Sequence, residues 1–192
     1  HYPGAVSHVM SRGNDRMPIF ESEEELIEFL RILSDVKSKT GLVVLAYCLM
    51  TTHFHLLLAV AQTSLAKILH QALSRYGHWF NWRRNRSGHV FENRYKAKPC
   101  LDDQYLSQVL PYIHRNPVKA GMVEDPADWA WSRHRQFIKR PRSTLLDIGQ
   151  TLSRLGETPA AGMAISRTCG PLFKLRVTTC SQTKVSSGYW GT

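Results

Sequence analysis

The stretch Leu42–Val60, LVVLAYCLMTTHFHLLLAV, predicts two neighbouring strands joined by a short polar break. Its first half is apolar at almost every position, as is typical of a strand buried on both faces. Its second half carries His53 and His55. Side chains two residues apart on a strand point to the same face, so these imidazoles should stand together while Phe54 faces the other way.

The flanking sequence completes an alternating pattern of strands and helices. A strand is predicted at Ala5–Ser11, and a helix follows with Ser22 as its N-cap, Glu25 as its capping-box partner and Gly41 as its stop. A second helix is predicted at 64–85, a fourth strand within 89–101 and a third helix at 102–121. This order predicts an α+β fold, a ferredoxin-like (RRM-like) sandwich with an antiparallel central sheet, an added C-terminal helix and an extension.

The third helix contains two prolines. Pro111 lacks the N–H that a helix interior needs, so we expect it to begin a new helical segment. Pro117 and Gly121 are expected to end the helix. Between the prolines, Tyr112 and Asn116 are spaced i and i+4 and should share one face.

Positive charge predominates along the chain. Among 192 residues, 25 are Lys or Arg and 15 are Asp or Glu, a formal net charge of +10 with a pI near 9.7. Such an excess favours polyanionic partners, nucleic acid first. The four cysteines form no C-x-x-C pair, which suits a reducing cytoplasm, and no apolar run is long enough for a bilayer. We therefore expect a cytoplasmic protein that binds nucleic acid and no membrane.

Two imidazoles on one strand face could hold a divalent metal ion if a further ligand lies nearby. The amide oxygen of Asn116 is a suitable ligand for Mg²⁺ or Mn²⁺, and Tyr112 one turn away could act as a nucleophile in phosphoryl transfer. The alternatives are a core tyrosine and an Asx turn before a proline. Tyr105, two turns before Tyr112, is a rival nucleophile without an amide at its i+4 position.

Several motifs in order closely resemble the REP-associated tyrosine transposases, which are single-tyrosine HUH enzymes. They are PGAVSHVMSRGNDRMPIF, AYCLMTTHFHLLL and YIHRNPVKAGMV followed by DWAWSR, and the resemblance runs from Pro3 to about Phe137. It implies that His53, His55 and Asn116 bind Mg²⁺ or Mn²⁺ and that Tyr112 is the nucleophile. It also implies cleavage of single-stranded DNA near imperfect palindromic hairpins, through a 5′-phosphotyrosine link that a 3′-hydroxyl can attack in return.

The cations form three groups that could hold such a strand, after the first strand, around the end of the second helix, and beyond residue 132. The predicted DNA-binding residues are Arg12, Gly13, Asn14, Arg16, Arg83, Arg84, Arg86, Arg94, Lys96, Lys98, Arg133 and Arg135. Gly13 would let the backbone approach a phosphate closely. Contacts of this kind position a nucleic acid without reading its sequence.

The chain is expected to divide into a catalytic domain at 1–125, a basic and partly helical extension at 126–180, and a disordered tail at 181–192. The extension could cover a face otherwise available for pairing, which favours a monomer over a dimer. Two other functions stay open: a non-catalytic single-stranded nucleic-acid binder with an RRM-like sheet, and a metal-dependent hydrolytic nuclease that forms no tyrosine adduct. A covalent protein–DNA product would distinguish them.

Overall fold

The computed structural model describes residues 3–132 together with His134, Leu145 and Asp147. Strands and helices follow the predicted order: β1 (Val6–Arg12), α1 (Glu23–Thr40), β2 (Val43–Leu49), β3 (His53–Ala59), α2 (Leu65–Arg83), β4 (Lys96–Cys100) and α3 (Asp103–Lys119). Short 3-10 helices lie at Asn14–Arg16 and Pro126–Asp128.

One four-stranded sheet organises the molecule, with the strand order β2-β3-β1-β4 and antiparallel pairing throughout. This confirms the predicted ferredoxin-like α+β sandwich. On one sheet face, Phe54 packs against Phe29 of α1, with ring centroids 5.0 Å apart. The other face carries His53 and His55, and α3 packs across it. The sheet therefore separates a helix-covered apolar core from a face lined with imidazoles.

The capping box predicted for α1 is present and is tied to α2. The Ser22 hydroxyl accepts from the Glu25 N–H, and the Glu25 carboxylate accepts from the N–H groups of Glu21 and Ser22. Arg84, just after α2, donates to the same carboxylate at 2.6 Å. Burial works to raise the pKa of Glu25, but these donors hold it below its ordinary value.

Replacing Glu25 with alanine should destabilise the fold by about 2–4 kcal/mol, because it removes a cap and leaves the Arg84 guanidinium without its most buried partner. The Glu24–Arg83 pair beside it is a matched control: its side chains are 58% and 51% exposed, against 2% for Glu25. Glu24→Ala should cost less than about 1 kcal/mol. Urea unfolding of both variants measures the difference, and equal losses would contradict this account.

Helix α3 runs without interruption through both prolines, so the expectation that Pro111 begins a new segment and Pro117 ends the helix was wrong. Pro117 cannot donate to the carbonyl of Ile113, but the Asn116 side-chain amide donates there at 3.4 Å and to the Tyr112 carbonyl at 2.8 Å. The side chain thus partly replaces the missing backbone donor.

Gly121 ends α3 as predicted. Its φ of 67° is left-handed, its N–H donates to the Val118 carbonyl, and the Met122 N–H donates to the Pro117 carbonyl. These two bonds form a Schellman motif, which satisfies the last carbonyls of the helix.

The chain after α3 returns to the β2 edge of the sheet. The Leu49 N–H donates to the Trp131 carbonyl at 3.0 Å, the Trp129 indole donates to the Leu49 carbonyl at 2.9 Å, and Ser132 forms a bridge with Cys48. Residues just beyond the predicted domain boundary at 125 therefore pack on the same sheet. The predicted extension and tail lie almost entirely outside the described residues. Within those residues, no helix combines the length and apolarity needed to span a membrane.

Candidate active site

The two histidines of β3 stand on one face of the sheet, with ring centroids 5.2 Å apart. His55 is 4% exposed and His53 is half-buried near the start of the strand. Each ring uses its Nδ1 atom within the protein: His53 Nδ1 lies 3.0 Å from the Thr52 hydroxyl, and His55 Nδ1 lies 3.1 Å from Nε2 of His8. The Nε2 atom of each ring is therefore the one left to meet a ligand.

The electrostatic setting keeps these imidazoles neutral. Burial lowers the pKa of His55 to about 3, with a further contribution from His8 and His53. Burial, and then Lys98, lowers the pKa of His8 to about 4. The pKa of His53 is lowered by burial and by Arg12. Neutral imidazole is the form that binds metal ions.

Tyr112 of α3 packs against His55 and His8. Its ring meets His55 edge-on at a centroid distance of 5.7 Å and His8 at 5.9 Å, and its side chain is 38% exposed. The Lys119 ammonium lies 4.6 Å from the centroid of the Tyr112 ring. A tyrosine fixed by these rings and still open to solvent can meet a large substrate, which a tyrosine of the apolar core could not.

Asn116 lies one turn after Tyr112 and is 9% exposed. Because its amide nitrogen donates back to the helix, its Oδ1 atom is the remaining acceptor. Two imidazole Nε2 atoms and one amide oxygen could together hold a divalent cation such as Mg²⁺ or Mn²⁺. Among the described residues, no cluster of three or more His, Cys, Asp or Glu could hold a metal, so the amide would be an essential member.

Tyr105 has different surroundings. The Lys98 ammonium lies 4.5 Å from the centroid of its ring. The backbone N–H of Tyr105 donates to the Asp102 carboxylate, which caps the start of α3. The ring contacts described for His55 involve Tyr112, and none involves Tyr105. The geometry therefore favours Tyr112.

The predicted DNA-binding residues differ in whether a carboxylate already neutralises them. Some are already neutralised by carboxylates: Arg12 by Glu92, Arg83 by Glu24, and Arg84 by Glu21 and Glu25. Others are exposed and form no ion pair within the described residues, namely Arg16, Arg94 and Lys96. Lys98 is exposed beside Tyr105, Arg86 lies near the Phe80 ring, and Asn14 is exposed in the 3-10 turn. Arg133 and Arg135 lie outside the described residues.

Gly13 has a packing role. It is buried, its N–H donates to the Thr52 carbonyl, and a Cβ atom there would lie 2.1 Å from the Met17 carbonyl oxygen. The close approach that requires glycine is thus internal to the protein. The backbone hydrogen bond from Gly13 to Thr52 also ties this turn to the break that precedes His53.

Sequence reasoning missed three residues of this site: His8, Thr52 and Lys119. The alternation in AVSHVMS could have placed His8 on the same strand face as Met10, which is paired with His55. Thr52 could have been noticed as the polar neighbour of His53. Lys119 follows Tyr112 by seven residues, which is two helical turns.

The sequence also matches a family of known proteins. The family model for IS200-like transposases matches residues 2–116, which include β1, β3 and most of α3. The chain belongs to the IS200-like transposase family. The predicted resemblance to transposases of this kind is confirmed.

Three individual proteins are similar to this IS200-like transposase. A candidate REP-associated tyrosine transposase of Haemophilus influenzae is 29% identical over 105 residues, which are 49% of this chain and 60% of that protein. The solved structure of a REP-associated tyrosine transposase bound to a REP hairpin superposes with a TM-score of 0.62 at 16% identity, covering 77% of this chain and 88% of the other. A candidate transposase from Deinococcus radiodurans R1 gives a TM-score of 0.44 at 17% identity, with 60% and 92% covered.

Proposed function

We propose that this IS200-like transposase is of the REP-associated type, and that it cuts and rejoins single-stranded DNA beside hairpins through a covalent bond to Tyr112. The observation that carries the proposal is the position of the Tyr112 ring, 5.7 Å from the ring of His55. A tyrosine packed beside neutral imidazoles suits phosphoryl transfer. The relative named as REP-associated and the solved structure bound to a REP hairpin support the choice of substrate.

In the proposed reaction, Tyr112 Oη attacks the scissile phosphorus and loses its proton. The bond from phosphorus to O3′ breaks, and the departing O3′ takes up a proton to become a free 3′-hydroxyl. The 5′ phosphate of the other fragment stays on the tyrosine. Attack by a 3′-hydroxyl on that link reverses the steps, so strand joining needs no external energy source. This reversal distinguishes a strand transferase from a hydrolytic nuclease.

The chain's own residues would contribute to that reaction in two ways. His53, His55 and Asn116 would hold Mg²⁺ or Mn²⁺, which when bound supplies Lewis-acid polarisation of the phosphate. The edge contacts of His8 and His55 keep the Tyr112 ring in one orientation. Orientation of this kind lowers the entropic part of the barrier.

The DNA would reach the tyrosine across β4. Lys96 pairs with Met10 and Lys98 with His8 in the sheet register, so both lysines stand on the face that carries His55. Strand β4 is exposed along most of its length. A phosphate backbone could run along its lysines from the solvent to Tyr112.

Replacing Lys96 with glutamine should weaken binding of hairpin DNA by about 3- to 10-fold at physiological salt and reduce the slope of log K against log salt by about 0.7–0.9. Arg83→Gln is the matched control, because Glu24 already neutralises that guanidinium. Fluorescence anisotropy at several salt concentrations measures both effects. A larger loss in Arg83→Gln than in Lys96→Gln would contradict the proposed path.

The proposed activity is tested with a 5′- or 3′-labelled single-stranded hairpin DNA and Mn²⁺. An SDS-resistant protein–DNA adduct and a free 3′-hydroxyl fragment are expected, and EDTA should prevent both. Cleavage without an adduct would favour the hydrolytic nuclease instead. Binding without cleavage would favour the RRM-like binder, although the sheet face that such a binder would expose is here crossed by α3. We propose that the protein acts as a monomer in the cytoplasm. Gel filtration with hairpin DNA tests whether it is a monomer.

A further inference from the structure

His8 of β1 lies behind the site and is 4% exposed. Its Nε2 atom is 3.1 Å from Nδ1 of His55, and the two rings stack with centroids 5.2 Å apart and an interplanar angle of 25°. The sheet register places His8 opposite Leu57, one pleat along from the Met10–His55 pair and on the same face. The backbone therefore holds this contact in place.

The hydrogen bond between the two rings can run in either direction, but only one direction leaves His55 able to hold a cation. If Nε2 of His55 is a ligand, it carries no proton, so the proton of this neutral imidazole is on Nδ1. His55 Nδ1 then donates, and His8 Nε2 must accept. This requires His8 to carry its own proton on Nδ1.

We propose that His8 is a positioning residue that holds His55 in the Nδ1–H form and turns its Nε2 atom toward the metal. This inference rests on the proposed function, since it assigns His55 to the cation site. Partners of this kind fix ring orientation in metal sites and are usually carboxylates, carbonyls or waters. A neutral imidazole in this place adds no negative charge, so the site stays attractive to the phosphates of DNA.

His8 does not serve as a third metal ligand itself. Its Nε2 atom is engaged with Nδ1 of His55, and the described residues contain no cluster of three His, Cys, Asp or Glu arranged for a metal. Thr52 makes the corresponding contact with Nδ1 of His53 at 3.0 Å. Both proposed ligand imidazoles thus have a partner at Nδ1, which is His8 of β1 for His55 and Thr52 of the preceding loop for His53.

Two substitutions of similar polarity separate the proposed role from packing. In His8→Gln the side-chain amide reaches the position of the lost Nε2 atom and can accept from His55. In His8→Asn the amide ends near the position of Nδ1 and cannot reach. We expect Mn²⁺ affinity, measured by calorimetry on the full chain without DNA, to fall by about 10- to 100-fold in His8→Asn and by less than about 3-fold in His8→Gln.

A second measurement reads the proton directly. Ring ¹⁵N NMR of the metal-free protein should show His55 protonated at Nδ1 in the wild type and in His8→Gln. In His8→Asn the ring should change to the Nε2–H form or to a mixture. Hairpin affinity in EDTA, compared with that of the wild type, confirms that each variant is folded.

The results separate this inference from the proposed function. Wild-type His55 protonated at Nε2, or unchanged Mn²⁺ affinity in His8→Asn while His55→Ala loses it, would overturn the role of His8 and leave the cation site intact. Unchanged Mn²⁺ affinity in His55→Ala would overturn the cation site itself. If His8→Asn fails to fold, the protonation state of His55 in the wild type decides the matter alone.

Discussion

Tyr112→Phe should form no covalent DNA adduct and no cleavage product, a loss of at least about 10³-fold, because the attacking oxygen is absent and residues of this kind act all-or-none. The phenylalanine ring can keep the edge contacts with His8 and His55, whose centroids lie 5.9 Å and 5.7 Å from the ring of Tyr112. Hairpin affinity and the free energy of unfolding should therefore change little. SDS gels of labelled DNA measure the adduct, and anisotropy measures binding.

Tyr105→Phe is the matched control. It removes a phenol from the same helix, where the ring sits beside Lys98 and makes no ring contact with His55 among those described. Its adduct yield should stay within about 3-fold of the wild type. An adduct that persists in Tyr112→Phe and disappears in Tyr105→Phe would reverse the assignment. An adduct that persists in both variants would contradict the proposal that one of these two tyrosines is the nucleophile.

Acid should destabilise the fold well above the pH at which carboxylates are protonated. Burial lowers the pKa of His8 to about 4, and of His55 and His114 to about 3, from an ordinary value of 6.5. Below pH 6.5 the unfolded chain binds protons at these positions and the folded chain does not, so stability falls as pH falls. From pH 7 to pH 5 each histidine should cost about 2 kcal/mol, or roughly 6 kcal/mol for the three.

Urea unfolding between pH 7.5 and pH 5 measures this slope. His114→Gln removes one buried imidazole from α3 and should reduce the slope by about 1.4 kcal/mol per pH unit below pH 6. His70→Gln, the same substitution at an exposed position of α2, is the matched control. A wild-type protein with equal stability at pH 7 and pH 5 would show that these imidazoles take up protons in the folded state.

The parts of the site that were predicted depend on local spacing. His53 and His55 share a face because strands alternate, and Tyr112 and Asn116 share a face because helices repeat every 3.6 residues. Both rules act within a few residues of the chain, so the sequence contains all the information they need. The interruption expected at Pro111 was wrong because packing and side-chain donors can carry a helix past a proline.

The parts that were missed depend on pairing between distant segments. The hydrogen bond between His8 and His55 spans 47 positions and requires the register of β1 against β3. The bond between Arg84 and Glu25 spans 59 positions and brings together the ends of two helices. Charge alone therefore predicted Arg84 as a DNA contact, although the fold uses it to join α1 to α2.

Strand β4 also bears on how the protein avoids aggregation. It is the outer strand of the sheet, and its sequence KAKPC exposes two lysines and a proline at an edge where another chain could add a strand. Lysines repel a second copy of the same edge, and Pro99 withholds an N–H that an added strand would need. At the opposite edge, residues 131–132 already pair with β2. The lysines proposed to bind DNA would thus also oppose growth of the sheet between molecules.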